Sequence, residues 1–406
     1  MSLRIFNTAS GREERFFPVR PKRVGLYVCG PTTYDYAHVG HAKTYLFYDV
    51  VKRYLRFLGY RVLHVQNFTD VDDNIFRRAL RQGLEPLDLS DMYIQEFRKD
   101  MDRLNVERPD HSPRTTEHIS ESIDMIERLV EMEVAYVTKG DVYFDVSKSK
   151  GFGSLIHEEL EDIVVDDVAS FKFCNRGRKA LVDFAIWKKA RPWEICWDSP
   201  WGKGRPGWHT ECAVMSHKYI GATADIRGGG IDLKFPHHES EALLSEALNG
   251  KPSAKYWVHN QLVTLGGEKM SKSKGNLVTI RKALEKAEPD ALRFYLLSAH
   301  YRKRMAFSLQ RLELAQIALL GIRRTVSRSL EGQTRGKKEA DRKGAVSCIS
   351  DFHRSMENDF DTPRALLAII DLVRILERSR LVGRNRTMIR KAVTGFQDIL
   401  GMDLGA

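Results

Sequence analysis

Residues 24–41 of the chain read VGLYVCGPTTYDYAHVGH and join an apolar run to the start of a helical pattern. The apolar run, residues 24–28, has the length and composition of a buried strand. A helical pattern extends from about residue 41 to 58, and residues 60–65 form a second strand-like run. Strand, helix and strand in this order predict a parallel α/β fold.

The α/β pattern is interrupted and then returns. Residues of about 90 to 200 carry helical patterns, short β segments and a polar stretch, which we interpret as an insertion in the α/β core. Strand-like runs reappear at residues 224–230 and 254–263, and from about residue 285 the pattern is helical to the end. Within that helical part, Thr362 is a predicted N-cap, with Pro363 at the first helical position.

The composition is that of a basic globular protein. With 406 residues the chain is long enough for two or three domains. Its 65 Lys and Arg residues exceed its 54 Asp and Glu residues, for a formal net charge of +11, which favours a polyanionic partner such as nucleic acid. A basic soluble protein without such a partner is the plainer alternative.

Hydropathy and cysteine usage bear on location. No apolar run approaches the roughly 18 residues of a membrane span, and the N-terminus lacks the hydrophobic stretch of a signal peptide. We therefore expect a cytoplasmic protein without membrane contact. The five cysteines, at positions 29, 174, 196, 212 and 348, are too sparse for a disulfide framework, so metal ligation or ordinary burial is expected of them.

Two short signatures carry the chemistry. His38-Val39-Gly40-His41 stands where the first strand passes into a helix, so its histidines and backbone N–H groups would meet phosphate at a helix N-terminus. Residues 269–273, KMSKS, supply two cations, Lys269 and Lys272, for the same phosphates. A lysine-rich run is usually a solvated loop, but its pairing with the upstream signature favours activation of a carboxylate by ATP.

Four further residues could bind a metal: Cys29, Cys212, His237 and Glu241. Each lies at the end of a predicted strand or the start of a helix, so an α/β sheet could bring them to one edge. Their spacing is unlike that of a zinc finger, and a buried, hydrogen-bonded side chain is the alternative for each.

A glycine triplet precedes Asp232. Gly228, Gly229 and Gly230 could let backbone approach a nucleotide while the carboxylate binds ribose hydroxyls, although a tight turn explains them equally. Trp208 could wall a small pocket or belong to the core.

At these residues the chain resembles the class I aminoacyl-tRNA synthetases, and within them the cysteinyl-tRNA synthetases. The resemblance extends to YVCGPT (27–32), NFTDVDD (67–73), PWGKGRPGWHTEC (200–212) and FPHHE (235–239). These stretches span roughly residues 1 to 310, and MENDFDTP (356–363) is similar to the family's helical bundle.

The resemblance implies a Rossmann-like parallel sheet with an inserted connective domain, a stem-contact region and a C-terminal helical bundle. The expected domains are 1–115 (catalytic, first half), 116–203 (connective insertion), 204–255 (catalytic, second half), 256–311 (stem-contact fold with the KMSKS loop) and 312–406 (bundle).

By the same resemblance, the chain would hold one zinc ion and act on ATP with Mg²⁺, on L-cysteine and on tRNA(Cys), as a monomer. Because thiolate is a far better zinc ligand than a hydroxyl, cysteine would be chosen over serine. The implied zinc ligands are Cys29, Cys212, His237 and Glu241. The implied amino-acid contacts are Gly30, Thr69, Trp208 and His237. The implied ATP contacts are His38, Gly40, His41, Gly229, Gly230, Asp232, Lys269, Ser271 and Lys272, with His38, His41, Lys269 and Lys272 catalytic.

The chain departs from the family pattern in three places. It stops at Ala406, after the bundle, where the family usually continues into an anticodon-binding domain. Arg227 stands where the family usually has histidine, and Asn74 where it has lysine. Two alternatives to a short synthetase therefore stay open: a paralogue that ligates cysteine to a non-tRNA amine, like the mycothiol-pathway ligase, and a non-catalytic tRNA-binding protein.

Overall fold

A four-stranded parallel sheet organises the α/β part of the molecule. The computed structural model describes residues 3–149, 151–157, 177–270, 277–333 and 338–406, with Lys269, Lys338 and Glu339 described by their backbone alone. In the sheet the strand order is β10-β9-β3-β4, and every neighbouring pair is parallel. The predicted parallel α/β fold is confirmed. The described strands are β1 (Arg4–Asn7), β2 (Arg12–Arg15), β3 (Arg23–Val28), β4 (Arg61–Gln66), β5 (Ala135–Thr138), β6 (Asp141–Phe144), β7 (Phe184–Lys189), β8 (Gly204–Pro206), β9 (Ala224–Gly230), β10 (Ala254–Asn260), β11 (Val263–Leu265), β12 (Glu268–Lys269), β13 (Met305–Phe307), β14 (Lys338–Glu339) and β15 (Ser379–Arg380).

Helices cover the sheet and form the C-terminal part. The described helices are α1 (Val39–Phe57), α2 (Asp73–Gln82), α3 (Pro86–Arg103), α4 (Ile119–Glu131), α5 (Trp208–Tyr219), α6 (Glu239–Asn249), α7 (Ile280–Leu284), α8 (Pro289–Leu297), α9 (Leu309–Glu331), α10 (Arg342–Glu357), α11 (Thr362–Arg378) and α12 (Gly383–Leu400). Among the described helices, none is both long and apolar enough to cross a membrane.

Helix α1 connects the first two strands of the sheet. Its apolar residues recur at helical spacing, and Leu46, Val50 and Leu55 are completely buried. Burying side chains of this size contributes about 1.5–3 kcal/mol each. The helix begins at Val39, two residues before the predicted start, because the His38 side chain caps it.

The insertion is a separate antiparallel sheet. Strands β5, β6, β7 and β8 pair in that order, and α4 packs beside them. Their inner face, with Phe144 and Trp187, forms a cluster of its own with residues of α5 and α6. Helix α5 also carries Cys212, so the insertion is packed against the candidate site. The expected domain boundaries stay predictions.

The C-terminal part differs from its prediction at two points. The helical pattern expected from residue 285 is broken by β13, which pairs in parallel with β11. The predicted N-cap of α11, Thr362, is also wrong: Asp361 caps the helix by accepting a hydrogen bond from the Arg364 N–H, and Thr362 is already helical. The Thr362 hydroxyl instead donates to the Leu297 carbonyl, 2.7 Å away, and joins two helices.

A buried ion pair joins the α/β part to the C-terminal helices. Asp49 of α1 and Arg293 of α8 are completely buried and directly paired. Arg293 also donates to the carbonyls of Leu104 and Leu400, at the ends of α3 and α12. The second Asp49 oxygen accepts from the Glu107 N–H at 3.0 Å. Four parts of the chain therefore meet at one hydrogen-bonded pair.

Candidate active site and metal centre

The candidate site lies where the parallel strands end. Cys29 follows β3 directly, Thr69 follows β4, and Gly230 and Asn260 are the last residues of β9 and β10. All four residues line one cavity of about 270 Å³. The carboxyl edge of an open parallel sheet is the usual ligand site of this architecture, and here it gathers residues that are far apart in sequence.

The structure brings together the four candidate metal ligands. Cys29, Cys212, His237 and Glu241 are all buried, and their ligand atoms lie within 4.8 Å of one another. The two sulfur atoms are 3.8 Å apart, and the Cys29 Sγ lies 3.8 Å from His237 Nε2. His237 Nε2 is 2.6 Å from Glu241 Oε1, as expected for residues four apart around a helix start.

These residues fit a zinc ion. Two thiolates on one tetrahedral zinc lie about 3.8 Å apart, because each Zn–S bond is about 2.3 Å long. Thiolate, imidazole and carboxylate are its usual protein ligands. The four ligand atoms lie within 4.8 Å of one another on segments after β3, in α5 and at the start of α6, so the fold itself gathers the ligands of a metal centre.

The electrostatics favour deprotonation of two of the four ligands, Glu241 and Cys212. Burial opposes ionisation of Glu241, but Arg227 and His237 hold its pKa well below its ordinary value. A hydrogen bond from the Cys29 thiol lowers the pKa of Cys212 to about 7. The other two ligands hold their protons more strongly: burial raises the pKa of the Cys29 thiol well above its ordinary value. Burial lowers the pKa of His237, but Glu241 outweighs this and raises it to about 10. Because ligands must be deprotonated to bind a metal, zinc would displace a proton from each of these two.

Arg227 departs from the family pattern, and its role could not be predicted from the sequence. Its guanidinium pairs with Glu241 Oε2, while the other oxygen of Glu241 faces His237. The rings of Tyr27 and Trp257 each lie 5.1 Å from the guanidinium carbon. Two thiolates and a carboxylate would leave a zinc ion with one negative charge, which Arg227 balances.

A second histidine, which was not predicted as a site residue, supports the cluster. His238 Nε2 lies 3.1 Å from the Cys29 sulfur, and its Nδ1 lies 2.8 Å from His259 Nε2. His259 Nδ1 in turn is 2.9 Å from the Thr8 hydroxyl. This chain of hydrogen-bonding groups reaches from β10 to the metal centre and orients the Cys29 ligand. The adjacent pair His237-His238 was the available signal.

The expected amino-acid contacts surround the cluster. Trp208 is the first residue of α5, and its ring stacks on His237 with centroids 4.1 Å apart. Thr69 is buried, and its hydroxyl accepts from the Asn67 side chain at 3.3 Å. Both line the same cavity as Cys29 and Cys212.

Gly30 is required by close packing. A Cβ at Gly30 would lie 1.6 Å from the Asn67 carbonyl oxygen, and the Gly30 N–H donates to the Asn67 side chain at 2.9 Å. The ends of β3 and β4 therefore touch directly beside Cys29, and any larger residue would separate them.

Gly30→Ala is expected to destabilise the protein by at least about 2 kcal/mol, because a backbone atom, rather than a flexible side chain, blocks the new methyl group. Retained zinc should fall with it, since the displaced Cys29 can no longer meet Cys212. Urea unfolding and metal analysis measure both effects.

Gly321→Ala is the control: the helical Gly321 has open space around it, and the change should stabilise the protein by up to about 1 kcal/mol. Equal stability of the two variants would contradict the packing argument.

At the first signature, the backbone N–H groups are not arranged as predicted. His38 and His41 stack with ring centroids 3.8 Å apart and line the cavity with Gly40. However, the first amides of α1 already have acceptors. Val39 donates to Val278, and Gly40 and His41 donate to the Nδ1 of His38 at 3.1 and 3.3 Å. Phosphate would therefore meet the imidazoles and the helix dipole instead of unpaired N–H groups.

The second signature is described only in part. Ser271 and Lys272 lie outside the described residues, as does the side chain of Lys269, so their predicted contacts with ATP are not located. Met270 is described and lines the cavity with Gly40 and His41. The segment that resumes after the signature is held at α1, since His38 and Thr279 form a bridge.

The predicted adenosine contacts lie on the side of the cavity formed by the end of β9 and the turn after it. Gly230 and Asp232 line it, and Gly229 packs behind, where a Cβ would lie 3.7 Å from that of Cys29. Asp232 is exposed to solvent in a short helical turn after β9. Asn260 and Gln261, which were not predicted, complete this side.

Comparison with known proteins identifies the family. Residues 15–317 match the family described as tRNA synthetases class I (C) catalytic domain. The cysteine–tRNA ligase of Geobacter metallireducens is 46% identical over 403 residues, covering 97% of this chain and 82% of the relative. That of Carboxydothermus hydrogenoformans is 42% identical over 412 residues, covering 99% and 87%.

Solved structures share the fold at low sequence identity. Mycobacterium tuberculosis methionyl-tRNA synthetase in complex with methionyl-adenylate superposes with a TM-score of 0.67 at 17% identity, covering 93% of this chain and 92% of that one. The LeuRS of Agrobacterium radiobacter in its ternary complex superposes with a TM-score of 0.65 at 12% identity, covering 95% and 85%. The solved structures establish the architecture, and the sequence relatives establish the subfamily. The chain belongs to the cysteine–tRNA ligase family of class I tRNA synthetases.

Proposed function

We infer that the protein activates cysteine with ATP and transfers it to the terminal adenosine of tRNA(Cys). The observation that carries this function is one cavity lined by Cys29, Cys212 and His237 of the metal cluster and by the stacked pair His38 and His41. The cluster recognises a thiol, and the histidines face the phosphates. Relatives 42–46% identical over nearly the whole chain bear the name cysteine–tRNA ligase, which does not favour the paralogue or the non-catalytic alternative.

The proposed zinc ligands are Cys29, Cys212, His237 and Glu241. When bound, zinc supplies a cation that prefers a thiolate sulfur to a hydroxyl oxygen. Trp208 and Thr69 then limit the size of the bound side chain, and Gly30 keeps the ends of β3 and β4 close enough for Cys29 to point at the cluster. Arg227 holds Glu241 from the side away from His237.

In the activation step, a carboxylate oxygen of cysteine attacks the α-phosphorus of ATP, the bond to the bridging oxygen breaks, and pyrophosphate leaves. We propose that His38 and His41 donate to phosphate oxygens as charge develops, and that Lys269, Ser271 and Lys272 contact the departing pyrophosphate. Losing one such donor would cost about a hundredfold in rate. Gly40, Gly229, Gly230 and Asp232 would hold the nucleotide, with Mg²⁺ bound to ATP.

In the transfer step, a ribose hydroxyl of the terminal adenosine attacks the carbonyl carbon of cysteinyl-adenylate, and AMP leaves. The formal charge of +11 suits the tRNA substrate. Action as a monomer in the cytoplasm stays a prediction from the sequence.

Cysteine-dependent ATP–pyrophosphate exchange by the zinc-loaded protein tests the activation step. We expect exchange with cysteine and at least about a hundredfold less with serine, because the hydroxyl is a poor zinc ligand. Absence of exchange would refute the enzymatic function. Charging of tRNA(Cys), compared with ligation of cysteine to an amino sugar, then tests the acceptor, and product with the amino sugar alone would refute the tRNA assignment.

A further inference from the structure

A second cavity, of about 550 Å³, lies at the opposite edge of the parallel sheet. Its walls include Val24 and Val62, near the starts of β3 and β4, and Ile220 and Ala222 from the loop before β9. The candidate active site lies at the other ends of these strands, and the two cavities share no lining residue. They are separate binding spaces.

Four cations surround this second cavity: Arg20, Arg23, Arg61 and Lys251. All four residues are exposed. None of them has a side-chain hydrogen bond or an ion pair within the described parts of the chain. The charge around this cavity is therefore available to a ligand.

The two carboxylates in the same wall offset the charge of these cations only in part. Both oxygens of Asp225 accept backbone N–H groups, from Val19 and from Gly25. An oxygen of Asp110 accepts the His64 N–H at 2.7 Å, and the other lies 4.0 Å from Arg56. Four cations against two engaged carboxylates leave an excess of positive charge at the mouth of a concave space.

We propose that this cavity binds a small phosphate monoester, with the phosphate on Arg23 and Arg61 and the organic part against Val24, Val62 and Ile220. Guanidinium groups match the geometry of a phosphate, and a monoester carries about two negative charges. The concave shape and apolar wall favour a small molecule over an RNA backbone, which binds along open, polar surfaces. This site is additional to the proposed aminoacylation and does not depend on it.

Titration calorimetry of the full chain with guanosine 5′-monophosphate, and separately with inorganic phosphate, tests the site. We expect guanosine monophosphate to bind more tightly than phosphate, because only the nucleotide covers the apolar wall. In Arg23→Ala/Arg61→Ala its affinity should fall by at least about tenfold, since two charge-assisted contacts are lost. Arg328→Ala/Arg378→Ala removes the same charge from exposed positions on α9 and α11 and should leave binding unchanged.

Ala222→Trp tests the cavity without changing its charge. The indole should fill the space and abolish the same binding event, while nucleotide bound at the active site persists. Unchanged affinity in the double arginine variant and in Ala222→Trp would overturn the proposal, as would absence of binding to the wild-type protein. If only tRNA affinity falls in the arginine variant, the cations belong to an RNA-binding surface and the small-molecule site is refuted.

Discussion

Cys212→Ser is expected to empty the metal centre: zinc should fall from one ion per chain to almost none after dialysis. A hydroxyl replaces a thiolate that lies 3.8 Å from the Cys29 sulfur, and the remaining three ligands cannot complete a tetrahedral site. Because even residues behind the ligands typically change metal affinity by 10–100-fold, loss of a ligand should cost more than about a hundredfold. Cysteine-dependent pyrophosphate exchange should fall at least as far, with a raised KM for cysteine. Metal analysis and exchange kinetics measure these effects.

Cys348→Ser is the matched control for this experiment. Cys348 is also buried, but it lies in α10, outside the candidate site. It should retain zinc and exchange activity, at most with a modest loss of stability. Full zinc content in Cys212→Ser, or equal zinc loss in both variants, would contradict the assignment of Cys212 as a ligand.

Asp49→Ala is expected to lower the free energy of unfolding by about 3–5 kcal/mol, because it leaves the Arg293 guanidinium buried without its carboxylate. It also removes the acceptor of the Glu107 N–H and the partner of Arg53, 2.9 Å away. The midpoint of urea unfolding, followed by circular dichroism, reports the loss. The C-terminal helices should separate from the catalytic part first, since Arg293 joins α1 to the end of α12.

An exposed pair provides the control for burial. Asp371 and Arg374 lie 2.8 Å apart on the surface of α11, and exposed pairs of this kind contribute about 0–1 kcal/mol. Asp371→Ala should therefore leave the urea midpoint nearly unchanged. In Asp49→Leu/Arg293→Met, where the buried charge of Arg293 is removed together with that of Asp49, much of the stability should return. A similar shift in Asp49→Ala and Asp371→Ala would show that burial of the pair has no effect.

Local patterns predicted the centre of the fold well. The apolar run that became β3 is continuous and is buried, as is typical of a strand covered on both faces of a parallel sheet. The three-residue strand β13 was missed because its partner β11 lies about forty residues earlier, so only tertiary pairing makes it a strand. The N-cap of α11 was misplaced by one residue because Asp361 and Thr362 are both good caps, and Leu297 binds the Thr362 hydroxyl.

The residues of the candidate site could be predicted from the sequence, but their arrangement in space could not. Cys29 and Cys212 are 183 positions apart, so their approach is a property of the sheet edge that no spacing rule contains. His237 and Glu241 were the exception, since residues four positions apart lie on one face of a helix. The pairing of Arg227 with Glu241 required the packing of β9 against α6, and the histidine chain through His238 and His259 required β10.

The cap that His38 forms on its own helix fixes the position of a proton. Its Nδ1 accepts the N–H groups of Gly40 and His41, and an amide can only donate. Nδ1 must therefore carry a lone pair, which makes the imidazole neutral and places its proton on Nε2. His38 would thus offer phosphate one donor of defined direction without a formal charge. The start of α1 is therefore both a structural cap and the element that selects the tautomer.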